Sequence, residues 1–243
     1  MDKIRQIVVI SLITVLPSAC AHMGGDAEFK KTAFHDIGIL RGQSSAAGLS
    51  GKGTIRVESP SASLTGTVLL AVDGERFRLV VVDAANRAVE AFAGEAGKVY
   101  RVDAATGVKS QVEQGEDKGY VSIAGTRTPL SLLGTLITGA PPVFGEIITA
   151  RPFGGGGRIT TGHPSMELVY AGSLKEIILM EEPEKGAGIA FGPVVPGPRG
   201  RHISGFKISA PGSSIAVEWT DVDLSAVFPP GFFTFDDEPE QEY

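Results

Sequence analysis

From Lys52 to Glu58 apolar and polar residues alternate, with Ile55 and Val57 on one face and Arg56 and Glu58 on the other. That period of two is the signature of a half-buried strand. Ser59-Pro60-Ser61 turns the chain, and Ser63 to Val72 follows with Leu64, Val68, Leu70 and Val72 in one register, up to the hairpin signal Asp73-Gly74. Arg76 to Val82 presents Phe77, Leu79 and Val81 to one side, while Val80 and Val82 keep the other side partly apolar. Val89 to Ala93, Lys98 to Val102 and Val108 to Glu113 continue the series, punctuated by Gly94, Gly97 and Gly107. Turn signals at roughly ten-residue spacing predict an antiparallel meander.

Two stretches depart from this alternation. Phe29, Ala33, Phe34, Ile37 and Leu40 or Arg41 fall at helical spacing and predict one amphipathic helix from Glu28 to about Ser45. In mid-chain, Thr128-Pro129 reads as a cap followed by a first-turn proline, Leu130, Leu132, Leu133, Leu136 and Ile137 follow, and Gly139-Ala140-Pro141-Pro142 stops the segment. Thr128 to Gly145 contains no charge, so this helix either crosses a core or covers an apolar opening as a lid. Another element, of a type left open, begins at Ile147 to Ala150, and strands resume at Met166 to Tyr170, Glu176 to Met180, Gly188 to Phe191, Ile203 to Ile208 and Ile215 to Trp219. Phe153 to Arg158 lacks the GK[ST] of a phosphate loop and is expected to be a flexible surface loop. Glu181 to Gly186 and Pro193 to Gly200 are expected to protrude, and 236–243 is an acidic tail.

The amino terminus carries a different signal. Lys3 and Arg5 precede an apolar or hydroxyl run from Ile7 to Leu16, too short to span a bilayer core of about 30 Å and typical of an export leader. Leu16-Pro17-Ser18-Ala19-Cys20 is similar to a lipobox, with Pro17 where leucine is usual. It predicts cleavage after Ala19 and acylation of Cys20, the only cysteine. The alternative is a lone thiol in an ordinary secretory leader cut at Ala19 or Ala21, and an unpaired thiol is poorly suited to an oxidising compartment. The organisation expected is a signal peptide over 1–19, a lipidated tether over 20–27, one domain over 28–235 and the tail.

Composition narrows the function classes. The net charge of −6 becomes one unit more negative once Asp2, Lys3 and Arg5 leave with the leader, which disfavours nucleic acid and anionic head groups. With 32 glycines and 7% aromatic residues, the chain suits many short-turned strands. Neither a G-x-S-x-G turn nor H-E-x-x-H occurs. His22, His35, His163 and His202 have no metal-ligand spacing and are expected to be solvated. No catalytic residue, metal or cofactor is predicted, and no enzyme activity.

The residues carry a family resemblance. Gly51-Lys52-Gly53-Thr54-Ile55-Arg56-Val57, then Ser61-Ala62-Ser63-Leu64-Thr65-Gly66-Thr67, then Asp73-Gly74-Glu75-Arg76-Phe77-Arg78-Leu79 resemble the opening strands of LolB-type outer-membrane lipoproteins. Val222-Asp223-Leu224 through Phe228-Pro229-Pro230-Gly231-Phe232-Phe233-Thr234-Phe235 is similar to the closing segment of LolA and LolB domains. The resemblance spans about 28–235 and implies a mainly β fold, an incomplete antiparallel barrel of about eleven strands with an N-terminal helix and a short apolar lid helix.

It also implies a protein at the periplasmic face of the outer membrane that holds acyl chains of lipoproteins or lipids in an apolar cavity; with the anchor read at Cys20, a lipid-anchored monomer is expected. Such a protein would receive cargo from a soluble periplasmic lipoprotein carrier and insert it at the outer membrane. The cavity candidates are Ile55, Val57, Val68, Leu70, Phe77, Leu79 and Val81, with Leu132, Leu133 and Leu136 as the lid. The same residues could instead form an ordinary packed core, leaving a structural or assembly lipoprotein that binds a protein partner. The family's receptor bears an exposed apolar residue on an early loop. Here Asp83-Ala84-Ala85-Asn86-Arg87 has no large apolar side chain, which sets membrane delivery apart from lipid binding.

Overall fold

The computed structural model describes positions 48–60, 62–95, 98–103, 106, 108–112, 120–123, 126–129, 132–141, 146–162, 165–171, 176–182, 186–197 and 200–234, with 29, 31–33 and 35 ahead of them. The leader, Cys20, the tether and the acidic tail lie outside the described residues. Of the expected leading helix, the described positions are helical; Ala33 is fully buried and Phe29 packs against the core.

The predicted meander forms the first half of the sheet. It comprises β1 (Leu49–Ser59), β2 (Ala62–Asp73), β3 (Arg76–Asp83), β4 (Ala88–Glu95), β5 (Lys98–Val102) and β6 (Lys109–Gln111). Gly74, at φ 61°, makes the β2–β3 turn announced by Asp73-Gly74, and Arg76 pairs with Asp73 across it. The second half comprises β9 (Ile147–Phe153), β10 (Gly156–Thr161), β11 (Met166–Ala171), β12 (Glu176–Glu182), β13 (Ala187–Phe191), β16 (Gly205–Ala210) and β17 (Ser213–Asp223). Two small ribbons stand apart, β7 (Tyr120–Ile123) with β8 (Thr126–Pro129) and β14 (Val194–Gly197) with β15 (Gly200–Ile203).

The main sheet runs β6-β5-β4-β3-β2-β1-β17-β16-β13-β12-β11-β10-β9, with antiparallel pairing throughout. It has thirteen strands against about eleven implied, and it is not closed, since β6 and β9 remain as edges. The first half works outward from β1 to the β6 edge, and the second returns inward from the β9 edge to β17. The connection between the two edges carries the β7–β8 ribbon and a helix, Leu133–Thr138. The helix lies on the side of the sheet that carries the main apolar cluster, packed against β1, β2 and β16 and the β15 ribbon.

Four local expectations are corrected. Thr128-Pro129 does not start the helix: both belong to β8, where Thr128 pairs with Val121 and Pro129 with Tyr120. A proline at the end of a two-stranded ribbon forfeits no ladder bond, so the cap signal was ambiguous. The helix begins at Leu133 after Leu132, with no side-chain cap, and ends as expected at Gly139, whose φ of 70° is left-handed and whose N–H donates to the Thr135 carbonyl at 2.7 Å. The segment Phe153 to Arg158 is not a flexible loop but a tight hairpin turn, with Gly154 and Gly155 at φ 55° and 80°. Pro193 to Gly200 is largely the β14–β15 ribbon, and Ile203 to Ile208 is two strands broken at Ser204. At that break, Ser204 N–H donates to the Pro193 carbonyl while its own carbonyl accepts from Trp219 N–H.

After β17 the chain turns back over the outer face of the first half. Ala226 N–H donates to the Gly48 carbonyl, and Phe228, Phe232 and Phe233 pack on one another with ring centroids 4.9–5.1 Å apart. Arg78 alternates with Phe77 and Leu79 and so stands on that outer face. Its guanidinium lies 4.8 Å from the Phe232 ring, Arg76 lies 5.0 Å from the Phe233 ring, and Lys109 donates to the Thr234 carbonyl. Ala71 and Ala93, the cross-strand partners of Arg78, are small and buried, leaving room for this strap.

Candidate functional site

The concave face is built by alternation. In β1 the buried positions are Leu49, Gly51, Gly53, Ile55 and Val57, with Lys52, Thr54, Arg56 and Glu58 exposed between them. Antiparallel pairing then sets Val68 opposite Val81 and Leu70 opposite Leu79, with Phe77 one step along the same face. All seven residues proposed for the cavity wall share this face and one apolar cluster, and each is 1–3% exposed. Burying such side chains contributes about 1.5–3 kcal/mol apiece.

The helix packs against this face over β1 and β2. Leu132, Leu133 and Leu136, the proposed lid residues, are buried in the same cluster, as is Ile137. The second half of the sheet supplies the adjoining wall with Phe206, Ile208, Ile215 and Val217, positions whose role was not legible without knowing that β17 pairs with β1. Trp219 extends this wall. Its indole Nε1 donates to the Leu136 carbonyl at 2.8 Å, and its ring lies 5.9 Å from that of Phe206. The alternation of Ile215 and Val217 runs on to Trp219 and was the signal available for it.

Between these walls and the helix a hollow of about 10 Å³ remains, lined by apolar side chains and the indole. That is room for about one water and not for an acyl chain. The candidate wall and lid are therefore in mutual contact, and a bound chain would have to displace part of them.

Polar chemistry lies elsewhere. The β3–β4 turn is clamped by Asp83, whose carboxylate accepts from the N–H groups of Ala85 and Arg87 at 2.8 and 3.0 Å and from Arg87 Nε and Nη2 at 2.9 and 2.6 Å. These donors, the Arg87 side chain foremost, hold the Asp83 carboxyl below its ordinary range. Asn86 takes the left-handed conformation, φ 59°, that closes the turn. Glu167 bridges Arg158 at 3.4 Å and Arg151 at 3.7 Å on the second half. His202 places Nδ1 2.9 Å from the Ile203 carbonyl, while His22 and His163 lie outside the described residues. Among the described residues no group of three His, Cys, Asp or Glu side chains is placed to hold a metal.

No protein-family model matches the sequence, and no curated protein matches it. Solved structures do match the fold. A DUF1329 family protein from Desulfovibrio piger superposes with a TM-score of 0.61 at 7% identity, covering 85% of this chain and 98% of its own. A domain from Vibrio parahaemolyticus described as an outer membrane lipoprotein-sorting protein gives 0.59 at 8% identity, covering 84% and 97%. A LolA superfamily protein from Nitrosomonas europaea gives 0.55 at 8% identity, covering 86% and 98%. Likeness at this identity speaks to architecture alone, and it gives the chain a LolA/LolB-like fold.

Proposed function

We propose that the protein is a lipoprotein of the bacterial envelope, anchored through acylated Cys20 on the periplasmic face of the outer membrane, that holds an acyl chain of a lipoprotein or lipid against its concave face. One observation carries this reading: an uncharged helix of six residues packs on the apolar face of the sheet, where Leu133 and Leu136 meet Ile55, Val68, Leu70 and Leu79 of the proposed wall around one small hollow. An apolar concavity of this kind takes up acyl chains without any reactive group, at about 0.8 kcal/mol per methylene removed from water. A soluble periplasmic carrier delivering the cargo fits the same picture. The clamped Asp83–Arg87 turn offers no large apolar residue for insertion, which sets holding apart from delivery.

The tightness of the hollow favours a second reading, in which the same barrel is an assembly lipoprotein with a filled interior and a protein partner. Mass spectrometry of the full chain, purified from membranes under conditions that preserve non-covalent complexes, separates them. A lipid adduct beyond the covalent anchor supports the carrier; its consistent absence, together with one protein crosslinked in stoichiometric amount, supports assembly.

A further inference from the structure

We infer that Trp219 is a displaceable plug, and that the berth it fills above Gly51 and Gly53 is the site for a single acyl chain. The inference rests on the carrier reading and says where the room comes from.

Two glycines alternate on the buried face of β1, where every other position is Leu, Ile or Val. Glycine inside a strand weakens it and leaves a gap in the packing, so two in one register need a reason. At Gly53 the backbone supplies part of it: a Cβ there would stand 2.4 Å from the Glu218 carbonyl oxygen, beside the bulge that shifts the β1–β17 register. At Gly51 the three nearest atoms to such a Cβ belong to the Trp219 ring, at 3.0–3.3 Å. The indole thus lies over both glycines and takes the volume that two side chains of β1 would have filled.

The ring is placed to leave. Trp219 is only half-buried, at the rim of the small hollow it helps to line, and the polar link that joins it to the helix is the single hydrogen bond to the Leu136 carbonyl. Swung outward, the indole keeps an apolar body at the rim and turns its N–H to water, a setting that suits tryptophan. The vacated berth then joins the existing hollow between Leu70, Leu133 and Leu136 into one apolar slot. The slot is one ring thick and little larger than the indole, which admits the terminal methylenes of a straight acyl chain rather than a branched or ring-fused end. Methylenes of the bound chain then pack where the indole packed before. Opening the slot in this way breaks one hydrogen bond to the lid and leaves the rest of the wall in place.

The test uses the full chain carrying Cys20→Ala, so that no lipid is attached, with a fluorescent long-chain fatty acid as probe. Trp219 is the chain's one tryptophan, and its emission reports the plug directly. Saturating fatty acid is expected to shift that emission to the red in the otherwise unaltered protein. Trp219→Ala is expected to bind the probe about tenfold more tightly, and Trp219→Ala with Gly51→Leu, which refills the berth from β1, to lose that gain. Binding with unmoved Trp219 emission and an unchanged Kd in Trp219→Ala overturns the plug while the carrier reading stands. No binding by either protein ends both. The emission measurement needs no substitution at Trp219 and decides the matter should the alanine variant fail to fold.

Discussion

Arg78 Nη1 donates to the carbonyl of Phe232 at 3.0 Å, across 154 positions of sequence, and so fastens the closing strap to the outer face of β3. Arg78 is only 7% exposed, and its guanidinium also faces the Phe232 ring. A charged hydrogen bond in such a setting is worth about 1.5–3 kcal/mol. Arg78→Met, which keeps the stem and removes the donors, should lower stability by that amount in urea denaturation. Phe232→Ala should cost a similar amount, and the double variant should show a coupling of at least about 0.5 kcal/mol. Strict additivity would mean that the strap is held by other contacts.

The lid helix is stopped by Gly139 for two separable reasons. Its φ of 70° disfavours any residue with a Cβ, and a Cβ there would meet Ile203 Cγ2 at 2.3 Å. Gly74 provides the control, with φ 61° and nothing within 4 Å of the same point. Gly74→Ala should cost the left-handed strain alone, about 1–2 kcal/mol. Gly139→Ala should cost clearly more and lower Tm further, because the Ile203 methyl has to move within a packed core. Equal losses would show that the helix end can shift away from β15 without penalty.

Protonation should loosen the β3–β4 turn. The donated side-chain hydrogen bonds from Arg87, then the backbone ones, hold the Asp83 carboxyl below its ordinary value of 3.8. A group whose folded value lies below its unfolded one stabilises the fold above the unfolded value, and that contribution is lost as pH falls through the folded value. An NMR titration of the Asp83 carboxyl should therefore show a depressed midpoint, and Arg87→Ala should return it toward 3.8. The stability difference between the two proteins should vanish in strong acid. An unchanged midpoint in Arg87→Ala would leave the backbone donors of Ala85 and Arg87 as its cause.

The strands nearest the amino terminus were legible because alternation is a local property: Ile55, Val57, Phe77, Leu79 and Val81 announce their face within a few residues. Where a glycine cluster serves a tight turn, as at Gly154 and Gly155, its composition equally fits a loop, and only the pairing of Arg151 with Arg158 distinguishes them. Thr128-Pro129 failed as a helix start for the same reason, since cap and ribbon share residue types. The adjoining wall is a different matter. Trp219 meets Gly53 and Leu136, and Phe206 packs beside Trp219, only because the first and last long strands pair at the centre of the sheet, and that pairing is non-local. The Gly51 and Gly53 gap shows in the sequence as two glycines, but its occupant does not.

Attachment to the membrane can be tested apart from everything the barrel does. The anchor proposed at Cys20 lies ahead of the described residues, and no described helix is long and apolar enough to cross a membrane. The chain's net charge of −6 gives no broad attraction to anionic head groups. The proposed anchor works through acyl chains, of which one alone binds only marginally, so that lasting attachment takes more than one. Cys20→Ala should consequently move the protein from the membrane fraction to the soluble periplasmic fraction, while its thermal unfolding stays within about 0.5 kcal/mol of the parent, as for substitutions remote from the core. Labelling with a radioactive fatty acid should disappear in the same variant. Retention of Cys20→Ala in membranes washed with high salt would overturn the acyl anchor and point to a protein partner as the tether.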